Sequence, residues 1–219
     1  MKKYDRYIQN LCDAYVQQFP LSEKYSPYMI WKMAKSQDST VRGFLAKALV
    51  YDTGSVCAVD VLCKLAKDKD SLVRVEAIDS LSVFCCEKSY HVFKNAVNDP
   101  DVLVRKYATF GLAWIGKSLC PQSTEELLLE LEKRENNSHV LIGIYEGLYI
   151  LGYEEYFCKL IDLFKINDYQ VQCSVLNVFS EIINEKNKAE MKAFVDKVER
   201  EQYPKAVQFS LDNLEAMLL

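Results

Sequence analysis

The sequence is poor in the residues that punctuate β-rich folds and that build many catalytic sites. Only 7 glycines and 5 prolines are spread over 219 residues, too few for a turn-rich β architecture. There are two histidines, His91 and His139, and neither lies in an HxxxH, HExxH or His-Glu pair. The stretch "YDTGS" has one glycine and no following lysine, so it is no phosphate loop. These absences favour helices and predict no metal, no cofactor and no catalytic residues.

The chain also lacks an apolar run of 18 residues and any block of like charge longer than a few residues. The basic N-terminus is interrupted by Asp5, Gln9, Asn10 and Asp13, so it does not read as a signal peptide. The formal net charge of −4 is opposite in sign to that of most nucleic-acid-binding chains. We therefore expect a cytoplasmic protein with no membrane span and no nucleic-acid partner.

Eight cysteines are scattered without a CxxC pair, and most fall inside apolar helical patterns. The adjacent Cys85 and Cys86 point to different faces of a helix and cannot easily bridge each other. This distribution is typical of a reducing compartment, where thiols serve as small apolar side chains. Hydrophobic residues make up 50% of the chain, which supports a real buried core.

What the sequence does contain is a repeated phrase, in which an aspartate is followed three residues later by Val-Arg and an apolar helical pattern. It reads "DSTVRGFLAKAL" at 38–49, "DSLVRVEAIDSL" at 70–81 and "DVLVRKYATFGL" at 101–112. Looser copies without the arginine extend the series at intervals of 31 to 36 residues. Self-similarity at this period indicates stacked supersecondary units. The equivalent positions are Val41, Val73, Val104, Val140, Val171 and Ala206.

A second amphipathic pattern precedes each copy, as in "AVDVLCKLAKD", where apolar residues recur at spacings of three and four. The repeating unit is therefore predicted to be helix A, a short turn and helix B. An additional helix at roughly 4–19 ends before Pro20 and Pro27, which forbid its continuation. We expect this first helix to cap the stack.

The phrase D-x-x-V-R-x-x-A, formed by Asp70, Val73, Arg74 and Ala77, resembles the second-helix signature of HEAT repeats, particularly the bacterial HEAT-like repeats first associated with phycobilin lyases. The third copy matches it throughout, whereas the first has Leu45 in place of the alanine. The resemblance implies an all-α, right-handed α-solenoid (superhelix) of about six HEAT-like helix pairs plus an N-terminal capping helix. Helices B would line its concave face.

On this interpretation the chain is a single HEAT-repeat domain over 1–219, with the capping segment at 1–25. The predicted repeats are 26–55, 56–86, 87–119, 120–152, 153–186 and 187–219. Copies four to six lack the Asp and Arg of the phrase, so we expect them to stack less regularly, with a change of curvature beginning near 117–137.

The aspartate and arginine of the phrase are predicted to be structural. Asp70 lies where a helix N-cap is needed. Arg74 is expected to bond that carboxylate or the equivalent Asp38 or Asp101 of an adjacent repeat, which would build a ladder along the stack. The search for function therefore moves to less regular positions on the same helices.

Positions two, three, six and ten after each valine are predicted to face the concavity. They combine aromatic rings with charged residues, as protein interfaces do, although the same rings could instead pack between repeats. The acids of the second copy suit a partner with a basic patch. The candidate partner-binding residues are Phe44, Lys47, Tyr51, Glu76, Asp79, Lys106, Tyr107, Phe110, Trp114, Glu146 and Tyr149.

HEAT arrays mostly bind other macromolecules and only some act as enzymes. The prediction is accordingly a non-catalytic scaffold or adaptor for a protein or peptide, with an assembly chaperone or an inhibitor left open. Deoxyhypusine hydroxylases of this type need several His-Glu pairs, which are missing. A phycobilin-lyase-like role rests only on generic repeat residues. The closing residues Met217 to Leu219 leave a homodimer open.

The main alternative is a HEAT-like alkylpurine DNA glycosylase. Trp114 and Asp79 occupy plausible positions for such an enzyme. Its strongly basic groove is missing, however, because the predicted concave positions hold two lysines against three acids.

Overall fold

The computed structural model of the protein describes residues 5–219, and over that range the chain is all-helical with no strand. Three short 3-10 turns occur at Leu21–Glu23, Leu49–Tyr51 and Arg200–Gln202. The predicted all-α solenoid class is confirmed. The α-helices of the described residues are α1 Asp5–Gln17, α2 Pro27–Ala34, α3 Ser39–Ala48, α4 Val56–Leu65, α5 Ser71–Leu81, α6 Glu87–Ala96, α7 Val102–Leu119, α8 Pro121–Arg134, α9 Ser138–Ile150, α10 Tyr156–Phe164, α11 Tyr169–Ile182, α12 Lys188–Val195 and α13 Lys205–Leu218.

The chain forms two compact units, Met1–Thr124 and Glu125–Leu219. In the first unit α1, α3, α5 and α7 contact one another in succession and form the layer of B helices. Helices α2, α4 and α6 form the layer of A helices behind them. The first helix lies beside α3, so α1 covers the end of the B layer.

In the second unit α9, α11 and α13 contact one another in succession, with α10 packed on α9 and α11 and with α12 packed on α13. Its core is aromatic: the ring of Phe179 lies 5.0 Å from that of Phe157 and 5.4 Å from that of Phe194. The boundary between the units falls inside the interval 117–137, where a change of curvature is predicted. That change stays a prediction.

Each aspartate of the repeated phrase is a helix N-cap. The carboxylates of Asp38, Asp70 and Asp101 accept the backbone N–H two positions later, at 2.9, 3.0 and 2.9 Å. Asn137 and Asp168 do the same for α9 and α11. The N-cap prediction is therefore confirmed, and capping extends into the fourth and fifth copies, whose sequences lack the full phrase.

The arginines pair with a different aspartate from the one predicted. Arg42 binds Asp68 through two hydrogen bonds of 2.7 and 2.8 Å, and Arg74 binds Asp99 at 2.9 and 2.7 Å. Each partner lies two residues before the N-cap of the following B helix. The ladder therefore exists, but the expected N-cap partners were wrong, because those carboxylates are already occupied by backbone N–H groups.

Two glycines of α7 allow close helix packing. A methyl group added at Gly111 would overlap the ring of Phe93 on α6, and one added at Gly116 would overlap Thr124. Gly152 has a different role, since it follows α9 with a φ of 109°, in the left-handed region that glycine adopts at little cost.

Asp52, within the "YDTGS" segment, ties the end of the first repeat to the preceding turn. Its carboxylate accepts the backbone N–H groups of Leu21 at 2.7 Å and Ser22 at 2.9 Å. Asp52 and Leu21 are both buried. The segment is therefore a structural joint.

Candidate partner-binding face

The candidate site is the exposed side of the B layer in the first unit. Its centre is formed by side chains from α1, the end of α3, α5 and α7. We call this surface the B-layer face and define it by Tyr15, Lys47, Tyr51, Glu76, Asp79 and Tyr107. Five of these six residues were predicted from the sequence, and Tyr15 was not.

Lys47 is the centre of the cluster. Its Nζ lies 4.8 Å from the centre of the Tyr15 ring and 3.9 Å from Oε1 of Glu76. The Tyr15 and Tyr51 rings are 5.9 Å apart and tilted by 48°. The lysine therefore has a tyrosine face on one side and a carboxylate on the other, which is the arrangement of a cation–π site beside an ion pair.

The two carboxyl groups of α5 have raised pKa values. Burial raises the pKa of Glu76 above its usual range, and Lys47 only partly opposes the shift. Burial also raises the pKa of Asp79, again opposed by Lys47, although the side chain is exposed by surface area.

Helix α7 adds Lys106 and Tyr107 to the same side of the B layer. Burial raises the pKa of Tyr107, and the nearby Asp79 and Glu76 add to the shift. Burial lowers the pKa of Lys106. All four pKa values are shifted toward the uncharged form, which is the direction that partial burial produces.

The remaining aromatic candidates of the first unit are accessible to different degrees. Phe44 and Phe110 are half-buried, whereas the side chain of Trp114 is 42% exposed. Their assignment to partner binding stays a prediction.

Glu146 has to be removed from the candidate face, because it is fully buried. Tyr149 is half-buried, and its hydroxyl accepts a 2.9 Å hydrogen bond from Nδ2 of the buried Asn187; its assignment to partner binding stays a prediction. Position counting failed at Glu146 because α9 is apolar around most of its circumference. Ile142 and Ile144, on different sides of the helix, are both 0% exposed, as expected for a helix buried on several faces.

Tyr15 was missed because α1 was interpreted as a cap without a binding surface. Leu11 and Ala14 are buried at the spacing of Leu45 and Ala48 in α3. Counting α1 in the same way places Tyr15 at position eight, which is not among the positions predicted to face the concavity, so only the packing of α1 on α3 shows that Tyr15 belongs to the face.

A groove of about 280 Å³ adjoins the B-layer face between the first halves of α3 and α5. Its walls include Gly43 and Phe44 from α3, and Leu72 and Val73 from α5. Lys47 and Glu76 also line it, so the groove and the charged cluster are continuous.

Among residues 5–219, no group of three or more His, Cys, Asp or Glu side chains could hold a metal ion. All eight cysteines are free thiols. Burial raises the pKa of Cys57 and Cys63, so these two thiols are poor nucleophiles at neutral pH.

None of the helices within residues 5–219 is long and apolar enough to cross a membrane.

No protein-family model matches the chain, and no curated protein is similar to it in sequence. Several solved structures are similar in fold, among them the following two. In the complex of CpcE and CpcF of phycocyanin lyase from Nostoc, a chain that is 18% identical superposes with a TM-score of 0.52, covering 89% of this chain and 95% of that one. YibA from E. coli is 17% identical, with a TM-score of 0.56 and coverage of 96% and 73%.

Both similar structures are HEAT-like helical repeat proteins. At such low identity the likeness establishes the fold, and a HEAT-like family is suggested by structure alone. It also corrects one prediction. The conclusion that the chain is not an enzyme is contradicted, because a phycocyanin lyase is built on the same kind of fold.

Proposed function

We propose that the protein is a HEAT-like scaffold whose B-layer face binds a protein or peptide partner presenting a lysine or arginine side chain. The observation that carries this proposal is the placement of two carboxyl groups beside Lys47: Nζ of Lys47 lies 3.9 Å from Oε1 of the half-buried Glu76, and Asp79 is exposed on the same helix. Lys47 only partly offsets the burial that raises the pKa of both carboxyl groups. A second cation placed between them would lower the pKa of both carboxyl groups.

The energetics of the face favour recognition over stability. A partly buried carboxylate lowers the free energy of unfolding unless a nearby cation compensates its charge. The exposed ion pair of Lys47 and Glu76, at 3.9 Å, compensates only weakly. A partner that supplies another cation would therefore gain an electrostatic attraction to these carboxylates that Lys47 alone does not satisfy.

The tyrosines suit the same partner. Tyr15, Tyr51 and Tyr107 offer large rigid rings that lose little conformational freedom on binding. Tyr15 already carries the Lys47 ammonium over its ring face. Arginine and lysine side chains of a partner can use the remaining rings in the same way.

The similarity to a chain solved in a complex of two proteins, CpcE and CpcF, supports a protein partner. Nothing on the B-layer face favours nucleic acid. With Glu146 buried, two lysines are balanced by two acids, and burial lowers the pKa of Lys106. Phosphate binding requires a clear excess of positive charge.

The test is selection of random peptides displayed on phage against the immobilised full chain. We expect selected peptides to be enriched in lysine or arginine. A synthetic copy of the best peptide should bind the double variant Glu76→Gln, Asp79→Asn at least about tenfold more weakly than the unmodified chain. Binding would be measured by calorimetry.

The matched control is Asp162→Asn with Asp196→Asn, which removes two exposed acids from the second unit. This control should bind the peptide like the unmodified chain. Equal binding by the Glu76 and Asp79 double variant, or selected peptides without cationic enrichment, would overturn the proposal.

A further inference from the structure

Gly43 lies in the middle of α3 without a structural reason to be glycine. Its backbone conformation is that of an ordinary helix, since Gly152 is the only glycine with a positive φ among the described residues. A methyl group added at Gly43 would meet one neighbouring atom, Cγ2 of Val73, at an ordinary 3.9 Å. Alanine would therefore fit this position.

The two glycines of α7 differ from Gly43 in their surroundings. At Gly111 and Gly116 an added methyl group would overlap Phe93 and Thr124, so those glycines are required by packing within the chain. Gly43 destabilises its helix relative to alanine without permitting any such contact. Glycine is also the residue that lets a backbone or ligand approach closely from outside.

The surroundings of Gly43 show where such an approach would occur. Gly43 lines the groove between α3 and α5, whose volume of about 280 Å³ lies just below the range of small-molecule pockets. A helix about 10–12 Å across would not enter it. The space suits one or two side chains of an extended segment.

Apolar and polar groups are placed for such a segment. Leu72 lies on the groove wall with 66% of its surface exposed, opposite the half-buried Phe44. Ser39 and Thr40 bring hydroxyl groups to the same groove, where they can hydrogen-bond an extended backbone. At the end next to the B-layer face lies Glu76, whose only cationic neighbour on the groove wall is Lys47.

We propose that an extended segment of the protein partner docks in this groove with its backbone packed against Gly43, and that a lysine or arginine of the segment lies beside Glu76. This inference rests on the proposed function, for which it names the mode of binding. Gly43 is then a specificity-determining position, because its missing side chain makes room for the partner.

The experiment compares Gly43→Ala and Gly43→Leu with the unmodified full chain, using the synthetic lysine- or arginine-containing peptide obtained by phage selection. We expect Gly43→Ala to raise the midpoint of thermal unfolding by about 2–4 °C and yet to weaken peptide binding several-fold. The larger side chain of Gly43→Leu should fill the groove and weaken binding at least about tenfold. Greater stability combined with weaker binding is the result that a purely structural glycine would not give.

Gly54→Ala is the matched control, because a methyl group there would meet nothing within 4 Å and would lie outside the groove. It should leave the affinity unchanged. If Glu76→Gln with Asp79→Asn weakens binding but Gly43→Leu does not, the groove inference is overturned while the proposed function stands. If the double variant has no effect, the proposed function fails.

Discussion

Arg74 on α5 and Asp99 in the turn before α7 form a bidentate ion pair, with Nε–Oδ2 at 2.9 Å and Nη2–Oδ1 at 2.7 Å. Each side chain is only 13% exposed. The same arrangement links Arg42 on α3 to Asp68 before α5. Successive helix pairs of the first unit are thus joined by planar, charge-assisted contacts in which both partners have several hydrogen bonds.

Substituting Arg74→Met should destabilise the first unit by about 3 kcal/mol, because the carboxylate of Asp99 would be left largely buried without its cation. Denaturant unfolding followed by circular dichroism measures the change. Asp162→Asn is the control, since its ion pair with Lys165 is about 70% exposed on both sides and should matter by less than about 1 kcal/mol. A loss at Arg74 no larger than that of the control would contradict a structural role for the ladder.

The sequence was sufficient to predict the helix pairs and the N-caps, because both depend on local patterns. Apolar spacing defines a helix face, and an aspartate before that face satisfies the first free N–H groups. The identity of the arginine's partner was not predictable in this way. Asp68 and Asp70 are both near Arg42 in the folded chain, and only the three-dimensional turn shows that Asp70 is already used by Leu72.

The candidate site was predicted where the burial of a helix follows its position in the repeat and missed where it does not. Counting from Val73 on α5 placed Glu76 and Asp79 on the open side, and in the structure they are half-buried and exposed. Helix α9 is apolar on several sides, so counting from Val140 placed the fully buried Glu146 outside. Whether one side of a helix is covered depends on distant packing, which spacing along a single helix does not encode.

Acid should remove part of the stability that Asp68 supplies. Burial alone would raise the pKa of Asp68, but hydrogen bonds from Arg42 and from the backbone of Asp70 outweigh it and hold that pKa below the ordinary 3.8. A carboxyl group with a lowered pKa stabilises the fold above its unfolded pKa, and this stabilisation is lost as the pH falls through the folded value. The difference in unfolding free energy between the unmodified chain and Asp68→Asn should therefore shrink below about pH 4. A difference that stays constant from neutral pH to pH 3 would exclude this linkage.

Asp52→Ala should loosen the joint between the turn at Leu21–Glu23 and the end of α3. It removes the acceptor for the N–H groups of Leu21 and Ser22, and the Leu21 donor is left buried at a cost of about 1–3 kcal/mol. Hydrogen exchange followed by mass spectrometry should show faster exchange at these two amides. Asp52→Asn keeps an acceptor oxygen and should show a smaller effect; equal protection in the alanine variant would mean that the joint is held by other contacts.

Gly111→Ala should have the opposite effect on stability from Gly43→Ala. The added methyl group would overlap the buried ring of Phe93, and a rigid ring in a packed interior cannot move away without a cost of about 1–3 kcal/mol. Thermal unfolding of the two variants gives the comparison. Stabilisation at both positions would show that α6 and α7 pack less closely than the structure indicates.

Acid should weaken the binding of a cationic peptide to the B-layer face. The loss should begin at a higher pH than it would if Glu76 and Asp79 had ordinary pKa values. Burial raises the pKa of Glu76 and Asp79 above their usual 4.5 and 3.8, and a bound lysine or arginine requires the ionised forms. The cations that face these carboxyl groups are Lys47, 3.9 Å from Glu76, and Lys106 on α7, and the neighbouring phenol is Tyr107, whose pKa is raised. The affinity should therefore fall as the pH is lowered through the raised carboxyl values.

Calorimetric titrations from neutral pH to about pH 4 test this dependence. The double variant Glu76→Gln, Asp79→Asn should bind weakly at every pH with little slope, since its amides do not titrate. Because burial raises the pKa of both carboxyl groups in the unbound protein, their ionised forms do not stabilise the fold, and the same variant should be at least as stable as the unmodified chain. Loss of binding together with loss of stability would instead assign the two acids to the fold, whereas weak, pH-independent binding by a stable variant identifies them as groups that contact the partner.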